Sequence, residues 1–159
     1  MSSGGAAALK RLKVEAAKLQ EDDELDELGV SAEPSEEDVL VWDVTIIGPD
    51  DTPYEGAVFN VTLTFAEGDY PYKPPKVIFQ TKVYHPNISS TTGEICQALL
   101  SDGWDPKKGV RDVLLTLLSI LKNPDADNTP IEAEIGREMK EDKDAFEEKV
   151  RDWVRKYAC

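Results

Sequence analysis

Along the first twenty residues Leu9, Leu12, Ala16 and Leu19 recur at helical spacing, with Lys10, Arg11, Lys13 and Lys18 on other faces. The pattern predicts an amphipathic helix over about Ala6 to Gln20. From Val39 the period shortens to β-branched and aromatic runs, Val39–Ile47, Ala57–Phe65 and Val77–Phe79. These read as consecutive strands, with a weaker first strand near Gly29 to Ser35. Gly48-Pro49-Asp50-Asp51 and Glu67-Gly68-Asp69 separate them at intervals so short that an antiparallel meander follows. Residues 84 to 109 carry little regular pattern, and long irregular stretches in compact domains are often functional. Val113, Leu114, Leu117, Leu118 and Leu121 then predict a mostly buried helix, and Phe146, Val150, Trp153, Val154 and Tyr157 an amphipathic C-terminal one. The fold class is α+β: four antiparallel strands between an N-terminal helix and C-terminal helices.

Composition narrows the partners. A chain of 159 residues, 40% hydrophobic, can bury one sizeable core, so residues 1–159 read as a single domain. Its 32 acidic against 18 basic residues give a net charge of −14, which disfavours nucleic acid or an anionic membrane as partner and favours proteins. Ten of the acidic residues fall between positions 20 and 38, where no basic residue stands; this block reads as a solvated linker in preference to an acidic docking surface. No secretory apolar region and no run of membrane-spanning length is present, so the cytosol or nucleus is expected. Cys96 and Cys159 are expected to be free thiols. The chain offers no metal-ligand cluster and no phosphate-cradling glycine loop.

Three segments carry chemistry by their order and spacing. They are Tyr70-Pro71-Tyr72-Lys73-Pro74-Pro75-Lys76, then His85-Pro86-Asn87-Ile88 followed by Gly93-Glu94-Ile95-Cys96, then Trp104-Asp105-Pro106. Together they resemble the ubiquitin-conjugating enzyme family, over roughly Leu9 to Tyr157. Four residues, Ser89–Thr92, stand where most members have three, and the stretch from Asn123-Pro124 to Pro130 is one residue longer than usual. The short spacing from Cys96 to Trp104 excludes the acidic insertion that some members carry.

The resemblance implies that Cys96 takes ubiquitin, or a relative of it, as a thioester from an activating enzyme and passes it to an amine or a ligase. Locally, Cys96 reads first as a small buried hydrophobe, and the surrounding motifs reverse that in favour of the nucleophile. ATP is consumed by the activating enzyme, so no cofactor is expected. The resemblance gives Asn87 the oxyanion-donor role; tying its own loop together is the alternative, and the two are compatible. His85 invites a cysteine–histidine pair, but its place in the motif favours structural packing. The family's pattern suggests a cis bond at Tyr70-Pro71. It makes Tyr72, Pro106 and Lys107 a ligase-facing surface, with Lys107 where many members have a small residue. Lys10, Arg11 and Lys13 match the face used for the activating enzyme, ordinary solvated charge being the alternative.

Members also place a polar or acidic side chain near the cysteine to receive the incoming lysine. Counting from Trp104 gives Asn128; counting back from Pro130 gives Thr129. Thr129-Pro130-Ile131-Glu132 has the form of a helix start with Thr129 as N-cap, which selects Asn128 for the catalytic role. Three other readings compete: a carrier of another ubiquitin-like modifier, a non-catalytic ubiquitin-fold binding module, and a cysteine hydrolase. The negative charge argues against the carrier of SUMO, and the binding module would lack the cysteine.

Overall fold

In a computed structural model that describes residues 3–127 and 130–159, with side chains from residue 6 onward, the four strands form one antiparallel sheet in chain order. They are β1 (Val30–Pro34), β2 (Val41–Ile47), β3 (Val58–Thr64) and β4 (Lys76–Phe79). Register explains why the pattern was readable. Trp42 pairs with Leu63, Val44 with Val61 and Ile46 with Phe59, while Val61 pairs in turn with Phe79 and Leu63 with Val77. All these side chains are buried, whereas Asp43, Asn60 and Thr64 on the other face are exposed. Alternation at a period of two thus places one apolar face against the helices.

Before the sheet come α1 (Ser3–Gln20) and α2 (Asp23–Glu27); after it come α3 (Ala98–Ser101), α4 (Val110–Lys122), α5 (Ala133–Glu141) and α6 (Lys143–Tyr157). Helix α4 supplies Val110, Val113, Leu114, Leu117 and Leu121 to the same buried cluster as the sheet. Burying each such side chain contributes about 1.5–3 kcal/mol.

Two expectations need correction here. The acid block is no linker: it forms α2, capped by Asp22, whose carboxylate accepts a hydrogen bond from the Leu25 amide at 3.1 Å, and Leu25 is buried. Arg111 of α4 donates to Asp22 at 2.8 Å and to Glu24 at 3.0 Å, and the Arg111 bond holds the Asp22 carboxyl below its ordinary range. The last short helix also starts later than the Thr129-Pro130-Ile131-Glu132 pattern implies. Helix α5 begins at Ala133 with Glu132 at the N-cap position, and the Glu132 side chain makes no capping bond. It is engaged elsewhere, by Ser90.

Candidate active site

Cys96 and Asn87 stand opposite each other at the base of a short hairpin. The Cys96 amide donates to the Asn87 carbonyl at 3.2 Å, Ile88 bridges Ile95, and the Ser89 amide donates to the Glu94 carbonyl at 2.8 Å. At the tip the Gly93 amide returns to the Ser89 carbonyl at 2.9 Å, and Ser89 Oγ accepts from the Thr92 amide at 3.0 Å. Gly93 has φ of +79°, and a β-carbon there would lie 2.0 Å from the Phe79 carbonyl oxygen. Only glycine fits, because that close approach lets the Phe79 amide bond the Gly93 carbonyl at 2.8 Å and docks the hairpin on the end of β4. The stretch that reads as irregular is therefore ordered. Cys96 itself is a half-buried free thiol one residue before the Gln97 that precedes α3. A cleft of ≈ 530 Å³ runs beside its neighbours Ile95 and Gln97, with the ion pair of Lys76 and Glu94 in its lining.

The His85-Pro86-Asn87 segment is turned inward. His85 is fully buried; its Nε2 lies 2.8 Å from the Ile120 carbonyl oxygen, and its Nδ1 accepts from the Asn87 amide at 2.9 Å. An acceptor at Nδ1 and a carbonyl at Nε2 fix the neutral tautomer with the proton on Nε2. Burial pushes the imidazole down to about 4, with the Ile120 carbonyl opposing. Both ring nitrogens are thus engaged by backbone, which suits packing and leaves no nitrogen to take a thiol proton. The Asn87 amide is likewise bonded in both directions to one residue: Nδ2 donates to the Asp125 carbonyl and Oδ1 accepts from the Asp125 amide, each at 2.9 Å. An amide nitrogen carries two hydrogens, and the Asp125 carbonyl takes one of them.

The family model described as ubiquitin-conjugating enzyme matches residues 11–154. The chain belongs to the ubiquitin-conjugating enzyme family. The E2 domain of a Toxoplasma gondii ubiquitin-conjugating enzyme is 38% identical, with 94% of this chain and 98% of that one covered and a TM-score of 0.82. A Plasmodium yoelii protein assigned to the same enzyme family is 35% identical over 95% of each chain, with a TM-score of 0.86.

Within this ubiquitin-conjugating fold the remaining sequence candidates divide between inside and outside. Tyr72 is 69% exposed, and Pro106 and Lys107 are exposed on the loop before α4. Lys10 and Lys13 are exposed on α1. Arg11 differs from them: its guanidinium donates to the Pro106 carbonyl and, at 2.6 Å, to the Lys108 carbonyl, and lies over the Tyr70 ring. Its neighbour Glu15, which sequence reasoning missed, joins three elements. One carboxylate oxygen accepts from the Val110 amide at the start of α4 at 2.9 Å, and the other from the Tyr70 hydroxyl at 2.6 Å. The i, i+4 spacing of Arg11 and Glu15 was the available signal. A β-carbon at Gly109 would lie 1.8 Å from Glu15 Oε1, so any larger residue there would push Glu15 off the Val110 amide. The Tyr70-Pro71 bond is cis, and Trp104 Nε1 donates to the Pro71 carbonyl at 2.9 Å, joining the first motif to the third.

Asn128 and Thr129 lie outside the described residues. The capping argument that selected Asn128 falls with the later start of α5. Among the described residues no group of His, Cys, Asp or Glu could hold a metal ion, and no helix is long and apolar enough to cross a membrane.

Proposed function

We propose that Cys96 carries ubiquitin as a thioester and transfers it to a lysine amine or to a ligase. The observation that carries the reading is the hairpin that sets Cys96 directly across from Asn87. In the first step the Cys96 thiolate attacks the activating enzyme's thioester carbonyl, and that enzyme's thiolate leaves. In the second a neutral amine attacks the new thioester, Cys96 leaves as thiolate, an amide forms, and the amine's proton passes to solvent or a nearby base. The remaining Asn87 Nδ2 hydrogen is the donor for the developing oxyanion, a role in which one lost donor costs about 2.7–4 kcal/mol elsewhere. Asn128 and Thr129 are the two candidates to receive the lysine.

Lys10 and Lys13 meet the activating enzyme, and Arg11 serves that face by holding the Pro106 loop. Tyr72, Pro106 and Lys107 face the ligase, with Tyr72 as the aromatic anchor. ATP acts only on the activating enzyme, and the chain needs no cofactor. It works as one catalytic domain in the cytosol or nucleus, and its partners are proteins.

Charging with ubiquitin, activating enzyme and ATP tests the reading. Wild type and Cys159→Ser should form an adduct that reductant removes, Cys96→Ser a more stable oxyester, and Cys96→Ala none. A normal thioester on Cys96→Ala sinks the proposal.

A further inference from the structure

Short polar side chains at a helix N-cap position ordinarily turn back to the helix's own free amides. Glu132 does not: Ser90 donates to its Oε2 twice, from the backbone amide and from Oγ, each at 2.8 Å. Its backbone amide meanwhile donates to the Pro86 carbonyl at 3.0 Å. One residue therefore grips the Cys96 hairpin at two places, at the tip through Ser90 and just before the base through Pro86. Further ties lie elsewhere on the hairpin: Gly93 with Phe79 and the exposed Lys76–Glu94 ion pair at 3.4 Å join it to β4, and Asn87 with Asp125 fixes its base. Among the hydrogen-bonded ties the Ser90 contact is the one made to a carboxylate, and such charge-assisted bonds are roughly twice as strong as neutral ones, whereas the Lys76–Glu94 pair is solvent-exposed and worth little. The Ser90 contact also falls at the hairpin's tip, Ser89–Thr92, where the other side-chain bonds stay within the hairpin itself. Glu132 is what ties that tip to the start of α5.

We infer that Glu132 is a positioning residue for transfer from Cys96, acting through Ser90 to fix the tilt and stagger of the hairpin. This rests on the proposed thioester role of Cys96. Strand stagger sets where the sulfur lies relative to the Asn87 amide, and small misplacements of reacting groups are costly: about 1 Å can slow a reaction on the order of 100-fold. The two bonds share one oxygen, so a neutral glutamine in place of Glu132 can accept both.

The test is single-turnover discharge of the ubiquitin thioester to free lysine at varied lysine concentration, beside a thermal melt. Glu132→Ala should charge fully, then discharge with a maximal rate lowered about tenfold and an unchanged half-saturating lysine concentration. Ser90→Ala, which keeps the amide bond, should lose about threefold. Glu132→Gln should stay within about twofold of wild type, a rescue that a bulk effect on folding would not give. Wild-type discharge by Glu132→Ala, or a glutamine variant as slow as alanine, overturns the inference. Should Glu132→Ala fail to fold, Ser90→Ala decides: a wild-type rate there overturns it as well. Wild-type protein that forms no reducible adduct overturns the thioester reading instead, so the two failures are separable.

Discussion

His85-Pro86-Asn87 and Tyr70-Pro71-Tyr72 are both three-residue segments with a proline at the centre, yet they use their polar and aromatic groups in opposite ways. In the first, both outer side chains point inward: His85 is 0% and Asn87 1% exposed, and every named hydrogen-bond partner is backbone. In the second the chain divides its aromatics. Tyr70 is 1% exposed and bonded to Glu15, whereas Tyr72, two residues on, is 69% exposed. Inward groups matched to backbone donors and acceptors fix geometry, and their loss leaves buried polar atoms unpaired. An exposed ring costs the fold little to change and remains available to a partner.

The largest test of this contrast is Asn87→Ala. It strips partners from both the amide and the carbonyl of Asp125, so stability should fall by about 2 kcal/mol. Discharge from Cys96 should slow by about 100-fold or more. Urea unfolding and lysine discharge separate the two effects: an unchanged melt would remove the positioning role, and an unchanged discharge the chemical one.

Next comes pH. Burial lowers the folded His85 pKa from 6.5 to about 4, so the unfolded chain takes its proton first. The stability held by the neutral ring is complete above 6.5 and is lost as pH falls toward 4. Between pH 7 and pH 5 the loss should be about 2 kcal/mol. His85 is the one histidine in the chain, and unfolded carboxylates titrate mostly below this window, so His85 dominates it. Equal stability at the two pH values would contradict its inward role.

Tyr72→Ala should weaken ligase binding by about 1 kcal/mol or more. Its melt should stay within about 0.5 kcal/mol of wild type. Equal damage to charging and to ligase-stimulated transfer would make Tyr72 part of the core and erase the comparison. The smallest effect belongs to Thr129→Ala. A capping role sets its cost at about 1 kcal/mol. A helix α5 that starts at Ala133 removes that capping cost, which a thermal melt checks.

The sheet and the long helices were legible because their signals are local: Trp42, Val44 and Ile46 alternate on one face, and Val113, Leu114, Leu117 and Leu121 recur on one stripe. The Cys96 hairpin was not, since its paired arms are too short for alternation to show and its tip is Ser, Thr and Gly. The acid block misled because composition outweighed one buried residue, Leu25, and because its partner Arg111 lies 89 positions from Asp22. Arg11 read like its neighbours Lys10 and Lys13, as charge for a partner or for solvent, for the same reason; the Pro106 carbonyl it bonds is 95 positions away. By itself, then, the sequence determined the order of elements, their apolar faces and the cysteine at the centre of the family motifs. Tertiary structure alone decided which polar groups are available and which are engaged, because periodicity reports a residue's neighbours along the chain. Hydrogen-bond partners such as Glu132 for Ser90, or Asp125 for Asn87, are brought within reach only when distant segments fold together.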